Sequence, residues 1–518
     1  MAAEDTRLAR EPDLKRAAFD EAVARHGLKL SPDEAESVRK LADWMSEGLA
    51  DIVGHGGAAT DALADAALDL PLFEQGGMLR DGRVTSLGLV EASLRRIERR
   101  DPAYRAFYAV DREGARAAAR QADADFASGG DHGHFHGIPV GIKDLIDVAG
   151  LSTTANAPGR KQAVAQADAT VVKRLREAGA IILGKLATYE WGTVGPDNRG
   201  AFPPARNPWS LDHITGGSSS GSAVAVAGGL LRTTIGTDTG GSLRGPAFYC
   251  GVVGLKPTFG LVPNGGVLPL SDSMDHIGPI SATVAEAAAT LDVIADFPPG
   301  VSASNKLGRS LSGLRIGYAR SWFAQDSQTA PAVLAAMDRA LSTLSQLGAV
   351  VQEVELPDYY AIEVAAAAIL HKESFDFHAE NLRDHPEDFG RRAFLSLAAG
   401  VAVTEEELAK AHGAGDLFRA EVNRLLLGCD ALITVGALTP ALLAAPFEKE
   451  AVWTPMRTIG FNVSGHPVLA MPIGFDAGLP IGMQIIGKHY GEATIVQIGD
   501  AFERATDYAL QRPPALSY

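Results

Sequence analysis

The sequence predicts an α/β protein in which a large β-sheet is covered by helices on both faces. From about residue 105 onward, short apolar runs rich in β-branched residues alternate with amphipathic helical patterns, and this alternation is typical of a sheet between two layers of helices. No internal repeat and no Pro/Ser-rich linker interrupts this part of the chain. A single large domain is therefore expected there, although 518 residues are enough for several domains.

In the N-terminal part of the chain, the sequence patterns predict helices and no strands. Ser31 stands where an N-cap is expected, Pro32 occupies the first helical position, and Glu34 completes a capping box. We therefore predict a helix over residues 31–53. A second helix is predicted over residues 87–100, where apolar residues recur at helical spacing.

The body of the chain contains strand and helix patterns in turn. Apolar runs that favour strands lie at 107–110, 138–142, 180–183, 233–235, 314–318, 431–434 and 468–471. Helical patterns between them lie at 168–177, 332–347 and 405–427. We predict a helical extension over residues 1–75, which packs on the body or mediates dimer contacts, and one domain over residues 76–518.

The composition excludes several classes of function. Lys and Arg number 47 against 63 Asp and Glu, and the resulting net charge of −16 repels nucleic-acid phosphates and anionic membrane surfaces. Only Cys250 and Cys429 occur, so neither a disulfide framework nor a Cys/His zinc pattern is present. The charged N-terminus lacks the apolar segment of a secretory signal, and no long apolar run follows it. We therefore expect a cytoplasmic protein without a nucleic-acid or membrane partner.

Two loops rich in glycine and serine are the strongest candidate site. The first, residues 216–222, contains Ser219 in a G-x-S-x-G pattern, which is the pattern of a nucleophile elbow. Residues 207–213 before it are loop-like, whereas an elbow requires an apolar strand, so this interpretation is disfavoured. Capping of the helix that begins near Gly221 is the simpler explanation of these serines.

The second loop follows a predicted strand and spans residues 238–242. Its consecutive backbone N–H groups, from Thr239 to Ser242, form the kind of nest that can hold an oxyanion. A plain Gly-Gly turn is the alternative. Serine is a poor nucleophile unless a base takes its proton, so the loops need a partner from elsewhere in the chain.

Histidine is the usual base, but the histidines show no evident pairing with these loops. His132, His134 and His136 alternate within a Gly/Asp-rich segment and are tempting as a metal site. No distant carboxylate or cysteine can be assigned to them from the sequence. A solvated loop is therefore the favoured interpretation, and no metal is expected.

Lysine can also act as a base, provided that burial lowers its pKa enough to leave it neutral. Lys143, Lys185 and Lys256 each follow an apolar or glycine-rich run. Lys143 is the strongest of the three because residues 138–142 form the clearest strand pattern. A lysine at the end of a strand is more often simply solvated, so the residues alone leave this choice open.

Taken together, these residues resemble the amidase signature hydrolases over residues 83–510. The matching motifs occur in family order at 136–144, 207–209, 216–222, 236–244, 250–257 and 478–484. The resemblance implies the amidase signature fold: a large twisted mixed β-sheet covered by helices on both faces, here with an N-terminal helical extension. It also makes residues 76–518 the catalytic domain.

The resemblance implies a Ser–cis-Ser–Lys triad. In this triad Ser242 is the nucleophile, Ser218 the proton relay and Lys143 the base, and the peptide bond before Ser218 is cis. The expected oxyanion hole consists of the N–H groups of Thr239, Gly240, Gly241 and Ser242. Residues expected to support the loops are Asp238, Arg244 and Ser219. Residues expected near the acyl side of the substrate are Trp191, Gly192 and Thr193.

The implied function is cofactor-independent hydrolysis of a small carboxylic amide, with esters or carbamates as further substrates, through an acyl-enzyme. Whether the protein forms a homodimer is left open. One alternative is a glutaminase-type component of a tRNA-dependent amidotransferase, which the N-terminal extension and the sequence at 261–270 disfavour. The other is a non-catalytic binding protein with the same fold, which the three competent residues at the triad positions disfavour.

Overall fold

The structure is a computed structural model that describes residues 29–31, 34, 35, 37, 38, 40, 57–450 and 454–514. The chain divides into two units, Met1–Leu63 and Ala64–Tyr518. The candidate site lies in the second unit. In the part of the chain that the structure describes, no helix is both long and apolar enough to cross a membrane.

The predicted capping box is present in the first unit. Oγ of Ser31 accepts a hydrogen bond from the N–H of Glu34 at 3.4 Å, and the Glu34 carboxylate accepts one from the N–H of Ser31 at 2.8 Å. Most of the helix predicted over residues 31–53 lies outside the described residues. The division into an extension over 1–75 and a domain over 76–518 stays a prediction.

The second unit is built around a mixed sheet that has 11 strands among the described residues. The strands are β1 (Phe107–Val110), β2 (Pro139–Lys143), β3 (Ile181–Leu186), β4 (Thr233–Asp238), β5 (Val253–Lys256), β6 (His276–Ser281), β7 (Arg315–Tyr318), β8 (Val350–Glu353), β9 (Ala431–Val435), β10 (Val468–Asp476) and β11 (Leu479–Gly487). Their order is β1-β3-β2-β4-β6-β5-β10-β11-β9-β7-β8. Parallel pairs join β2 to β3 and β4, and β7 to β8 and β9, while the other pairs are antiparallel.

The described residues also form sixteen α-helices. They are α1 (Gly57–Ala67), α2 (Leu72–Arg80), α3 (Ser86–Tyr104), α4 (Arg112–Ala127), α5 (Thr170–Glu177), α6 (Ser220–Ala227), α7 (Arg244–Cys250), α8 (Val284–Ile294), α9 (Ser321–Ala324), α10 (Pro331–Gln346), α11 (Tyr359–Asp384), α12 (Arg391–Ala398), α13 (Glu405–Gly428), α14 (Ala445–Lys449), α15 (Gly460–Val463) and α16 (Glu492–Ala505). Short 3₁₀ helices occupy several of the connections.

The two faces of the sheet carry separate hydrophobic cores. On β3, Ile182 belongs to the core that contains Val172 of α5, whereas Ile181 and Leu183 belong to the core that contains Val224 of α6. Successive residues of a strand point to opposite faces, so this alternation reflects a layer of helices on each side. The predicted α/β class and the mixed sheet are confirmed.

The predicted strands and body helices are present, with ends that differ by a few residues. Four further strands, β5, β6, β8 and β11, are absent from the sequence-based prediction. β6 contains Gly278 and Pro279, and β11 contains Pro480 and Gly482, residues that usually mark turns rather than strands. β8 lies at the edge of the sheet and is largely exposed, so it shows little apolar patterning.

The sheet brings the predicted site residues to one edge. β2 ends at Lys143 and β4 ends at Asp238, and these two strands are parallel neighbours. The carboxyl ends of parallel strands meet at the same edge of a sheet. The loop that leads from β4 into α7 therefore begins beside Lys143.

Candidate active site

Lys143 lies at the end of β2, and its side chain is completely buried. Its Nζ lies 2.8 Å from Oγ of Ser218 and 2.7 Å from Oγ1 of Thr237. Among the described residues, no carboxylate forms an ion pair with this Nζ. The lysine is therefore held by two hydroxyl groups, that of Ser218 on the first loop and that of Thr237 on β4.

Burial lowers the pKa of Lys143 to about 7, while the more distant charges of Asp238 and Asp275 oppose that lowering. The cause is desolvation, which penalises the ammonium form more than the neutral amine. Near neutral pH a large fraction of the side chain is consequently a free amine. A neutral amine within hydrogen-bond distance of a serine hydroxyl can accept its proton.

The first serine loop places Ser218 against that amine. The peptide bond between Gly217 and Ser218 is cis, the geometry that the family resemblance implies. The carbonyl oxygen of Ser218 accepts a hydrogen bond from the N–H of Tyr189 at 3.1 Å, and its side chain is buried. Ser218 therefore has no direct access to solvent.

Ser219 supports the loop and is not available for attack. Its hydroxyl donates to the carbonyl oxygen of Thr237 at 2.9 Å and accepts from the N–H of Thr237 at 3.2 Å. Its own N–H donates to the carbonyl oxygen of Ser242 at 3.0 Å. Ser219 thus connects the first loop to β4 and to the second loop.

The second loop folds around the carboxylate of Asp238. This carboxylate accepts backbone N–H groups from Gly241 at 2.8 Å and from Leu243 at 3.2 Å. It also pairs with the Arg244 guanidinium at 2.9 Å, and Asn462 donates to it at 2.8 Å. The adjacent Arg244 holds the pKa of Asp238 far below its usual range, against the opposing effect of burial.

This arrangement changes the predicted oxyanion hole. The N–H of Gly241 is used by Asp238, so it is not free to bind a ligand oxygen. In the part of the chain that the structure describes, the N–H groups of Thr239, Gly240 and Ser242 have no protein acceptor. Gly241 contributes through its conformation instead, because it has φ 120° and a Cβ there would lie 2.3 Å from Oγ1 of Thr458.

A cavity opens beside the second loop, and Ser242 lines it. Ser242 is half-buried, whereas Ser218 and Lys143 are buried behind it. Gly192, Thr193, Thr239, Gly240 and Gly241 also line the cavity. The structure therefore gathers around one cavity most of the residues that the sequence assigned to substrate binding.

Trp191 lies elsewhere. Its ring packs in a buried cluster with His378 at 4.5 Å and Phe389 at 5.7 Å between ring centroids. It is outside the set of described residues that line the cavity. Its neighbour Gly192 lines the cavity in its place, so Trp191 supports that wall from behind.

Several site residues were missed by the sequence analysis. Asp275 accepts the hydroxyl of Thr239 at 2.5 Å, and burial raises the pKa of Asp275 to about 6. Arg392 lines the cavity from α12. Thr237, whose hydroxyl is hydrogen-bonded to Lys143, was also missed. It lies on β4, two residues before Thr239 of the second loop, and this position could have identified it.

The other two candidate lysines are held differently. Nζ of Lys185 lies 2.9 Å from the carboxylate of Asp144. Nζ of Lys256 donates to the carbonyl oxygens of Pro257 at 3.1 Å and His466 at 2.7 Å. Among the described residues, neither of these lysines contacts a serine hydroxyl, whereas Lys143 does.

Comparison with known proteins identifies relatives along most of the chain. A family model described as Amidase matches residues 88–496. The chain is 36% identical over 481 residues to the A subunit of the glutamyl-tRNA(Gln) amidotransferase from Roseiflexus sp. (strain RS-1), covering 86% of this chain and 98% of that protein.

Two solved structures are also similar to this chain. The peptide amidase of Stenotrophomonas maltophilia has a TM-score of 0.75 at 29% identity, covering 86% of this chain and 98% of its own. A chain from a vestigial protein complex, described as revealing the origins of an s-triazine catabolic enzyme, has a TM-score of 0.78 at 31% identity. It covers 84% of this chain and 98% of its own.

Proposed function

The chain belongs to the amidase family of amidase signature enzymes, and from this premise we propose that it cleaves the C–N bond of a carboxylic amide through an acyl-enzyme on Ser242. The observation that carries the proposal is the buried Lys143 amine bonded to Ser218, behind the wall of a cavity that Ser242 lines. The exposure of the three residues supports it, because Ser242 lines the cavity whereas Ser218 and Lys143 are buried behind it.

In the first half of the reaction, neutral Lys143 takes a proton from Ser218, which takes one from Ser242. Oγ of Ser242 then attacks the amide carbon. The N–H groups of Thr239, Gly240 and Ser242 stabilise the tetrahedral oxyanion. When the C–N bond breaks, the relay returns the proton from Lys143 to the leaving nitrogen.

In the second half, the acyl group is esterified to Ser242 and the amine or ammonia has left. Water then attacks the ester carbon, and the relay takes its proton. The acid leaves, and Ser242 regains its hydroxyl hydrogen. No step requires a cofactor, because every proton transfer uses side chains of this chain.

Substitution of Ser242 tests the assignment of the nucleophile. We expect purified Ser242→Ala to lose amide hydrolysis, because no other hydroxyl takes its position in the cavity. Ser219→Ala is the matched control and is expected to retain measurable turnover, with some loss of stability. If Ser219→Ala were inactive and Ser242→Ala active, the elbow interpretation of the first loop would replace the proposal.

A second candidate function concerns the identity of the amide. The similarity to the A subunit of glutamyl-tRNA(Gln) amidotransferase supports glutamine as the substrate and a multi-subunit assembly as the setting. This comparison supports the amidotransferase interpretation more strongly than a free-standing amidase. The chemistry at Ser242 is the same in both cases.

The cavity adds a constraint on that amide. Arg392 is largely buried and lines the cavity; its Nη1 donates to the carbonyl oxygens of Pro196 and Phe447, and its Nε lies 3.6 Å from the carboxylate of Asp197. Its Nη2 has no hydrogen-bond acceptor among the described residues. A buried guanidinium N–H without an acceptor is costly, so a substrate carboxylate is a fitting partner. The described lining contains no carboxylate to pair with an ammonium group such as that of glutamine.

A panel of three amides separates these candidates. Glutarate monoamide carries a carboxylate and no ammonium, glutamine carries both, and hexanamide carries neither. Preference for the monoamide by the purified chain supports a carboxylate-bearing substrate of a free-standing enzyme. Glutamine cleavage that appears only with partner subunits and tRNA establishes the amidotransferase function.

Arg392→Lys then tests the carboxylate contact. We expect it to raise KM for the monoamide by about 10- to 100-fold, in line with one hydrogen bond to a charged group, and to leave KM for hexanamide unchanged. The exposed neighbour Arg391 provides the matched control, Arg391→Lys. Equal losses on both amides would assign Arg392 a structural role only.

A further inference from the structure

The segment between α4 and β2 contains a cluster of side chains that the proposed reaction does not use. Asp125 lies near the end of α4, and His132 and His136 lie in the segment that follows. One ligand-type atom from each of the three lies within 4.8 Å of the others. We propose that these three residues form a binding site for a zinc-class divalent transition-metal ion.

The spacing of the three groups is close to that of zinc ligands. Nε2 of His136 lies 3.7 Å from Oδ2 of Asp125, and Nε2 of His132 lies 3.8 Å from the same oxygen. Ligand atoms about 2.1 Å from a tetrahedral zinc ion are about 3.4 Å from one another. The two distances from the imidazoles to the carboxylate therefore exceed the tetrahedral value by only a few tenths of an ångström, and the three ligand atoms lie within 4.8 Å of one another.

Asp125 supplies the carboxylate that the histidine pattern lacks in the sequence. It precedes His132 by seven positions but belongs to a helix, so only the fold places it beside the two rings. His134 has a different environment, because its ring packs edge-on against Phe73 at 5.1 Å. The alternating histidines thus divide into two ligands and one packing residue.

The second nitrogen of His136 has a partner for the metal-bound state. Its Nδ1 now accepts the N–H of His132 at 3.2 Å, and Oδ1 of Asp131 lies 3.9 Å away. With a metal ion on Nε2, the ring proton resides on Nδ1 and is donated to Asp131 after a small rotation of the ring. Metal-bound histidines commonly donate their other N–H to a carboxylate in this way.

The charges around the cluster permit a cation. Asp125 and Asp131 provide two carboxylates, and Arg80, which pairs with Asp131 at 2.7 Å, offsets the charge of one of them. Two imidazoles and one carboxylate suit zinc and its neighbours rather than Ca²⁺ or Mg²⁺.

The proposal is tested by titrating the full-length, chelator-treated protein with Zn²⁺ alone, using calorimetry, and with Co²⁺ followed by its visible absorption. We expect one equivalent to bind, with an intense tetrahedral Co²⁺ spectrum and a rise in the thermal midpoint. His132→Gln alters a half-exposed ligand and should weaken binding at least about 10-fold. Asp131→Asn should weaken it by about 10-fold.

His134→Gln is the matched control, because it removes a histidine from the same segment without removing a ligand. It should bind Zn²⁺ as the wild type does. The proposal is overturned if His134→Gln loses as much affinity as His132→Gln, or if the wild type binds no more Zn²⁺ than His132→Gln. Amide hydrolysis is not the readout, so this result is independent of the proposed function.

Discussion

Two lysines are completely buried on neighbouring strands, Lys143 on β2 and Lys185 on β3. Lys185 meets the carboxylate of Asp144 at 2.9 Å and the hydroxyl of Thr153 at 2.8 Å. Lys143 meets two hydroxyls and no carboxylate among the described residues. The same residue type, at the same depth, therefore has opposite electrostatic surroundings.

This difference distinguishes a lysine that stabilises the fold from a lysine that can accept a proton. Burial lowers the pKa of both side chains, and the attraction of Asp144 opposes that lowering for Lys185. The ion pair stabilises Lys185 as an ammonium, which has no lone pair to accept a proton. Lys143 is free to be an amine. A buried lysine is thus a candidate base when hydroxyls, rather than a carboxylate, hold it.

Replacement of Lys143 is the strongest test of this contrast. We expect Lys143→Met to lower kcat for amide hydrolysis by about 10²- to 10⁴-fold, because a positioned proton acceptor is lost. The unfolding temperature should change little, since the substitution removes no ion pair. Steady-state kinetics and a thermal melt provide the two measurements. A variant that keeps more than about a tenth of wild-type kcat contradicts the assignment of the base.

Replacement of Lys185 should show the reverse pattern. Lys185→Met leaves Asp144 buried without its partner, which costs about 3–5 kcal/mol. For a chain of this length the entropy of unfolding is about 1 kcal/mol/K, so we expect the thermal midpoint to fall by about 3–5 °C. The double variant with Asp144→Leu should recover part of that loss. A stable but inactive Lys185→Met would reverse the contrast between the two lysines.

The pH profile should report Lys143 and not Lys185. The base must be neutral, so the rate falls as the pH drops through the pKa of Lys143, which is about 7. Below that value we expect kcat/KM to decrease about tenfold per pH unit, as for one essential base. A pH-independent rate between about pH 5 and 8 contradicts a neutral amine. Hydrolysis should be measured in buffers of constant ionic strength.

The motifs made the grouping of the candidate site residues predictable from the sequence. Lys143, Ser218 and Ser242 each belong to a motif that occurs in family order, and the strands before Lys143 and Asp238 have clear β patterns. Their arrangement at one sheet edge follows from parallel pairing. The sequence could not predict that the N–H of Gly241 is bonded to the carboxylate of Asp238, because that bond depends on the orientation of the Asp238 side chain in the folded loop.

Contacts between distant parts of the chain were also beyond prediction. Asn462 donates to Asp238 from a helix 224 positions away, and Arg392 reaches the cavity from α12. Neither residue stands in a pattern that signals chemistry. Strands β6 and β11 were missed for a related reason, since burial by neighbouring strands overrides the usual preference of Gly and Pro for turns.

The smallest expected effect concerns Thr237, the second hydroxyl that holds Lys143. Its Oγ1 lies 2.7 Å from Nζ and accepts a hydrogen bond from the ammonium more strongly than from the amine. Thr237→Val removes that preference for the charged form and should lower the pKa of Lys143.

The acid limb of the pH profile for Thr237→Val should therefore move to lower pH, by less than about one unit, because the difference between a charged and a neutral hydrogen bond is about 1 kcal/mol. Maximal kcat should fall only severalfold, through poorer orientation of the amine toward Ser218. Thr237→Ser keeps the hydroxyl and should restore the wild-type limb. A shift to higher pH in Thr237→Val would mean that the hydroxyl donates to the neutral amine and stabilises that form, and Lys143 would then differ from Lys185 even more sharply than the structure indicates.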